Sequence, residues 1–187
     1  MEPPEFYLCS FGGSGSWMLA QYLSRYGEVT HVHSRNPPAT LQRADRQTEH
    51  FTTEFKSPRR VHVVYVFREP VKAMYSVERR HSMKTHCINI ECNSANTFGM
   101  SLLNEDVFRL EEFFDNYTTP KERNYAITCV KYETMQANMR QLNAALGIRD
   151  DPTTYPTFTE TSAPVPDLSC YDALRAKMNA APPVFIV

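Results

Sequence analysis

Long apolar runs are missing from this sequence of 187 residues, and no window approaches the roughly 18 uninterrupted apolar residues that a membrane-spanning helix needs. Residues 1–5 are few and acidic, and a strand-like run follows at once, which leaves no room for a signal peptide. The five cysteines are an odd number without a CxxC pair, which favours reduced thiols over a disulfide framework or a zinc site. We therefore predict a cytoplasmic protein with no membrane partner and no metal.

An excess of one charge is also missing. Lys and Arg number 20 and Asp and Glu number 21, so the net charge is -1 and the balance indicates no nucleic-acid partner. The charges are nevertheless unevenly placed, because residues 35–84 hold eleven basic and five acidic residues whereas residues 86–187 hold eight and thirteen. We expect any site for an anion to lie in the first half of the chain.

The composition, with 42% hydrophobic and 22% charged residues, is that of one folded domain spanning residues 1–187. Strand-like runs alternate with helix-like periodicity, which predicts an α/β protein with three αβα layers and a mainly parallel central sheet. The predicted strands are residues 6–10, 29–33, 61–67 (central) and 125–131, and the predicted helices are residues 17–26, 71–81, 101–117 and 134–146. The remaining predictions are a surface helix and loop at 40–60, a loop at 86–98, a tail at 150–187 that is extended apart from a helix near 171–178, and an edge strand or frayed end at 184–187.

A glycine loop separates the first predicted strand from the first predicted helix. It consists of Gly12, Gly13, Ser14, Gly15 and Ser16. Such a loop aims backbone N–H groups and the positive end of a helix at a ligand that is usually a phosphate. It is neither a Walker A loop nor GxGxxG, because no Lys precedes Ser16 and the glycine spacing is too short. A tight strand-to-helix turn without a ligand is the alternative.

A second polar element directly follows the predicted central strand. Arg68 lies at the carboxyl end of that strand, and Ser76 lies two helical turns further on. An arginine fork and a hydroxyl can hold one phosphate between them. The alternative for Arg68 is a surface ion pair with Glu69 or Glu78.

Taken together, these segments resemble the sulfotransferases that use 3′-phosphoadenylyl sulfate (PAPS). Ser14-Gly15-Ser16 resembles the core of that family's 5′-phosphosulfate loop, and Arg68-Glu69-Pro70 with Ser76 resembles its 3′-phosphate motif. Val130-Lys-Tyr-Glu133 and the following 142–148 segment are similar to the strand, "YED" turn and helix end found later in family members. The resemblance covers residues 6–148 and implies a P-loop-like fold.

The resemblance also implies which groups bind the donor and how transfer proceeds. The 5′-phosphosulfate is held by amides from Gly13 to Trp17 and by the Ser16 hydroxyl, and the 3′-phosphate by Arg68 and Ser76. A base then takes the proton of an acceptor hydroxyl, on a carbohydrate or another small molecule, as its oxygen attacks sulfur.

Two histidines near the end of the second predicted strand are the candidates for that base. His33 ends the strand, and His31 shares its face because side chains alternate along a strand. We favour His33 as the base, with His31 second, since a neutral imidazole suits this proton transfer. A hydrogen-bonded histidine pair on the wall of the crevice is the alternative, and a metal site lacks a third ligand.

The sequence departs from the family pattern at two places. Gly13 stands where members carry Lys or Arg, so the usual charge partner of the leaving oxygen is missing, and Lys72, Arg35 or Lys56 are candidate replacements. The glycine-rich segment that covers the nucleotide has no counterpart after Ile148, which leaves residues 86–98 as the candidate cover. Two rival functions therefore stay open, a nucleotide-dependent kinase and a non-catalytic nucleotide-binding module.

Overall fold

A sheet of five strands organises the protein. The computed structural model describes residues 3–39, 41, 44–45, 52–53, 61–80, 83–90, 92, 105–158, 164 and 166–187. The strands in these residues are β1 (Glu5–Ser10), β2 (Glu28–Val32), β3 (Ala44–Asp45), β4 (Thr52–Thr53), β5 (Val61–Phe67), β6 (Ile127–Lys131) and β7 (Val184–Ile186). The main sheet has the order β2-β1-β5-β6-β7, and β3 and β4 form a separate antiparallel pair.

Four neighbouring strands of the main sheet are parallel. Strand β1 pairs with β2 and β5, with Cys9 opposite both Val32 and Tyr65, and β5 pairs with β6. Only β7 runs antiparallel, along the outer side of β6. The predicted α/β class, the mainly parallel sheet and the central position of residues 61–67 are confirmed. The predicted edge strand near the end of the sequence is confirmed as well.

Helices connect the strands. They are α1 (Ser16–Leu23), α2 (Pro70–Glu78), α3 (Met83–Asn89), α4 (Leu110–Thr118), α5 (Tyr132–Met135), α6 (Met139–Ala145) and α7 (Asp172–Ala180). Pro70 occupies the first turn of α2, where its missing N–H breaks no helical hydrogen bond. The chain leaves α6 through Gly147, whose φ of 61° is the left-handed conformation typical of a helix end.

Buried side chains cover both faces of the sheet. In β5, Val63, Tyr65 and Phe67 point into one core with residues of α2, α3, α4 and α7. Val64 and Val66 point into the other core with residues of α1, α5 and α6. This alternation explains the unbroken β-branched and aromatic run at residues 61–67, because a strand covered on both faces needs apolar residues at every position. The helices on both faces are consistent with the predicted three layers.

Several predicted boundaries are wrong. Residues 86–89 belong to α3 and not to a loop, and the described residues of the 40–60 segment include two short strands where a surface helix was predicted. Of the helix predicted at 101–117, the described residues 105–109 are not helical, and α4 begins at Leu110. The helix predicted at 134–146 is divided by a 3-10 turn at Gln136–Asn138. The predictions for residues 46–51, 54–60, 93–98 and 101–104 lie outside the described residues.

Candidate functional site: the glycine loop and its histidine pocket

The glycine loop joins the carboxyl end of β1 to the start of α1. Gly12, Gly13 and Gly15 have φ values of 113°, 66° and 70°, which side-chain-bearing residues rarely adopt. All three are also required by close contacts. A Cβ on Gly12 would lie 1.9 Å from His86 Nε2, and one on Gly15 would lie 2.3 Å from the Tyr132 ring. The loop is therefore fixed in shape by the side chains packed against it.

The backbone amides at the end of the loop and the start of α1 find no acceptor among the described residues. Within the described part of the chain, no hydrogen bond is found from the N–H groups of residues 13–17, although the Gly15 carbonyl accepts from Met18 and Leu19. The last two of these amides belong to the first turn of α1, where the helix dipole is positive. Unpaired amides at the start of a helix form a site that favours an anion.

The loop forms one wall of a pocket of about 340 Å³. The pocket is lined by Gly12, Gly13, Gly15, Ser16, Trp17, His31, His33, Val77, Arg80, His86 and Asn89. No acidic side chain is among these described lining residues, and Arg80 adds a positive charge. The pocket lies beyond the carboxyl ends of β1 and β2, which is where parallel sheets place their ligands.

His33 is held in one tautomer at the pocket wall. Its Nδ1 lies 2.8 Å from the carbonyl oxygen of Ser10. A carbonyl can only accept a hydrogen bond, so Nδ1 carries the proton and, in the neutral ring, Nε2 keeps the lone pair. This is the form of histidine that can take a proton. The structure therefore indicates that Nε2 is the nitrogen through which the favoured candidate base would accept a proton.

His31 contacts a different partner, the Ser16 hydroxyl. Its Nε2 lies 2.9 Å from Ser16 Oγ, and Ser10 Oγ donates to the same oxygen over 2.8 Å. Ser16 Oγ can donate its proton to His31 Nε2 when that nitrogen is unprotonated. The two histidine rings are also in edge contact, with centroids 4.9 Å apart. The sequence-predicted candidates His31, His33 and Ser16 thus meet in one pocket.

A third histidine, His86, completes the wall and was not predicted as a site residue. It is 6% exposed, its ring lies 4.5 Å from that of His33, and its Nε2 donates to the Phe11 carbonyl. Burial, with a smaller effect of His33, lowers the pKa of His86 to about 4, so the ring is neutral at pH 7. Nothing in the pattern around residue 86 indicates this role, because the contact is made only in three dimensions.

Arg68 lies beneath the loop and not in the pocket. It is 5% exposed, and its Nη1 donates to the Gly13 carbonyl over 2.7 Å while the guanidinium stacks on Tyr132, 4.5 Å from the ring centre. Its Nε is buried without a partner, and no ion pair between Arg68 and an acid is found among the described residues. The alternative of a surface ion pair with Glu69 or Glu78 is therefore not seen. Arg68 is therefore a buried cation directly under the glycine loop.

Ser76 packs against the same loop from α2. A Cβ on Gly13 would lie 3.0 Å from Ser76 Cβ and 2.3 Å from the Ala73 carbonyl oxygen. Neither Ser76 nor Arg68 lines the histidine pocket, and the void beside Arg68 has about 10 Å³, which is the size of one water. Binding of a 3′-phosphate by this pair remains a prediction.

The candidates for the missing loop cation are placed elsewhere. Arg35 is 3% exposed and donates to the carbonyls of Phe108, Arg109 and Ile90, so it stabilises buried backbone away from the pocket. Lys72 lines a separate pocket beside Lys131 and Arg175. Lys56 lies outside the described residues. The cation that does line the histidine pocket is Arg80, whose Nε donates to the Ser76 carbonyl over 2.9 Å.

Trp17 lies at the rim of the pocket and not in the core. Because the first helix must pack on the sheet, the sequence predicts a core position for Trp17, but its side chain is 62% exposed and lines the pocket, with its ring 6.2 Å from that of His31. The first helix instead turns Leu19, Ala20 and Leu23 toward the sheet. Of the segment expected to cover the nucleotide, His86 and Asn89 line the pocket from α3.

Comparison with known proteins adds no relative: no protein-family model, no curated protein and no solved structure matches the chain. Within the described residues, no helix combines the length and the apolar character needed to cross a membrane. The same residues contain no group of three or more His, Cys, Asp or Glu side chains arranged to hold a metal ion. The function therefore has to be argued from the pocket itself.

Proposed function

We propose that the histidine pocket binds the phosphosulfate group of PAPS and transfers the sulfuryl group to a hydroxyl of a carbohydrate or another small molecule. The observation that carries this proposal is the meeting, in one pocket, of loop residues whose amides have no acceptor within the described part of the chain and a histidine whose Nδ1 donates to a backbone carbonyl. The choice of PAPS as the donor rests on the resemblance of the loop and the 68–76 segment to the sulfotransferase motifs, within a P-loop-like fold.

Charge supports an anion at the loop. Arg68 is buried without a described acidic partner, and an uncompensated buried cation is costly unless an anion lies near it. An anion on the amides of residues 13–17 would supply that partner across the loop. Arg80 would supply positive charge from the open side of the pocket, where Gly13 leaves the family's usual cation missing.

The residues divide the work of transfer as follows. The loop amides and the Ser16 hydroxyl hold the donor, and His33 Nε2 accepts the proton of the acceptor hydroxyl as the acceptor oxygen forms its bond to sulfur. The bond between sulfur and the bridging oxygen breaks, and that oxygen leaves on adenosine 3′,5′-bisphosphate. Arg80 is the cation available to stabilise its charge.

One observation favours a second candidate function, phosphoryl transfer from a nucleotide without a 3′-phosphate. Arg68 and Ser76, the predicted ligands of the 3′-phosphate, do not line the histidine pocket. Calorimetry with adenosine 3′,5′-bisphosphate and with ATP separates the two, because sulfuryl transfer requires tighter binding of the bisphosphate. Tighter binding of ATP selects phosphoryl transfer, and binding of neither rejects both.

Loss of the base tests the chemical step. With radiolabelled PAPS and a panel of 2-naphthol and chitobiose, His33→Ala should slow transfer by about 10² to 10⁴-fold, the usual contribution of a general base. Its affinity for the bisphosphate should stay close to that of the parent. His62→Ala is the matched control, because His62 lies on β5 outside the pocket. Transfer that survives in His33→Ala places the base elsewhere, and nucleotide binding without any turnover selects a non-catalytic module.

A further inference from the structure

Ser16 and His31 form a pair that the proposed transfer does not need. The transfer uses the Ser16 hydroxyl only to bind the donor, whereas the structure places that hydroxyl 2.9 Å from an imidazole nitrogen at the wall of an open pocket. A hydroxyl and a base within hydrogen-bond reach are the signature of nucleophilic catalysis. We propose that Ser16 is a nucleophile activated by His31, and that the pocket hydrolyses small carboxylic esters.

The hydrogen bonds around Ser16 orient its proton toward the base. Ser10 Oγ donates to Ser16 Oγ over 2.8 Å, which leaves the Ser16 hydroxyl free to donate to His31 Nε2. His31 stands between His33 and the rim residue Trp17, whose rings lie 4.9 Å and 6.2 Å from its own. The imidazole is therefore held between two aromatic neighbours while its Nε2 faces the serine.

The surroundings of Ser16 suit the charge that ester cleavage develops. The amides of residues 13–17 have no acceptor within the described part of the chain, and Ser16 and Trp17 begin α1. Unpaired amides at a helix start can hold the oxyanion of a tetrahedral intermediate, a contribution of about 3 kcal/mol or more for one donor. Arg80 and the absence of acidic side chains among the described lining residues favour the same negative charge.

The reaction balances without a cofactor. Ser16 Oγ forms a bond to the ester carbonyl carbon while its proton moves to His31 Nε2, and the alcohol then leaves with that proton as the carbon–oxygen bond breaks. Water attacks the acyl-serine, gives a proton to His31, and releases the carboxylic acid as the proton returns to Ser16 Oγ. The net reaction is ester and water to acid and alcohol.

A fluorophosphonate probe tests the pair directly, because it reacts with activated serines and not with ordinary ones. We expect time-dependent labelling of the full chain, with peptide mass spectrometry locating the label on Ser16. Labelling should be lost in Ser16→Ala and slowed at least 100-fold in His31→Gln. Ser24→Ala is the matched control: its serine caps the other end of α1, is exposed, lies outside the pocket and should label like the parent.

The outcomes that overturn the proposal are a chain that does not label, a label on another residue, or His31→Gln that labels at the parent rate. If Ser16→Ala does not fold, the labelled site in the parent and the rate in His31→Gln decide the question. Steady hydrolysis of p-nitrophenyl acetate should follow the same order among the variants. The assays contain no nucleotide, so their result is independent of whether PAPS binds.

Discussion

The stability of the protein should depend on pH through the buried imidazole of His86. Burial lowers the pKa of His86 to about 4 in the folded state, against an ordinary value of 6.5 in the unfolded chain. The unfolded chain therefore binds a proton between these two values while the folded chain does not. Its contribution to stability is fully present above pH 6.5 and is lost as the pH falls toward 4.

The size of the effect follows from the two pKa values. For a single group, a difference of this size lowers the free energy of unfolding by about 2 kcal/mol between pH 7.5 and pH 5, and by about 3 kcal/mol at pH 4. His62 contributes in the same direction, because burial lowers its pKa as well. The share of His86 is therefore measured as a difference between the parent and a variant.

Urea unfolding at several pH values is the appropriate assay. We expect His86→Gln, which has no titrating ring, to lose about 2 kcal/mol less stability than the parent between pH 7.5 and pH 5. His62→Gln should keep most of the parental loss, since His86 is still present. Parallel curves for the parent and His86→Gln over this range would refute the assignment of a buried, neutral His86.

Two further predictions concern the loop and the rim of the pocket. Gly12→Ala should lower the free energy of unfolding by about 2 to 5 kcal/mol, because the new Cβ meets His86 at 1.9 Å, breaks its buried hydrogen bond and strains φ. Gly147→Ala is the control: its φ is 61° and nothing lies within 4 Å of the new Cβ, so its free energy of unfolding should fall by only about 1 kcal/mol. Equal losses in urea unfolding would contradict the contact between residue 12 and His86. Trp17→Ala should leave the free energy of unfolding within about 0.5 kcal/mol of the parent, because the ring is 62% exposed. If the ring stacks on the adenine, the same variant should bind adenosine 3′,5′-bisphosphate about tenfold more weakly in calorimetry. An unchanged affinity would exclude that stacking.

The sheet could be predicted from the sequence because its strands are short runs of apolar, β-branched and aromatic residues. Residues 61–67 are apolar at every position, which is typical of a strand covered on both faces, and the strand is the central one. Helix α3 could not be predicted in this way. Its described buried residues, His86 and Cys87, and the following Ile90 are held by the core and not by a regular apolar period. Tertiary packing decided the structure there.

Parts of the candidate site could be predicted from the sequence, and other parts depend on tertiary packing. The glycine loop, His31 and His33 come together because each lies at the carboxyl end of a parallel strand, and that rule needs only the order of the elements. The inward turn of Arg68 toward the Gly13 carbonyl has no sequence signal. The exposure of Trp17 did have one, since Gln21, one helical turn later on the same face, is polar and exposed.

The two edges of the main sheet bear on how the protein behaves at high concentration. An unprotected strand edge can pair with another molecule and seed aggregation. Strand β2, at one edge, begins at the exposed Glu28, which stands directly opposite Glu5, and β7, at the other, has three residues. A three-residue strand at one edge, and like charges where the strand at the other edge begins, both disfavour edge-to-edge pairing into fibrils.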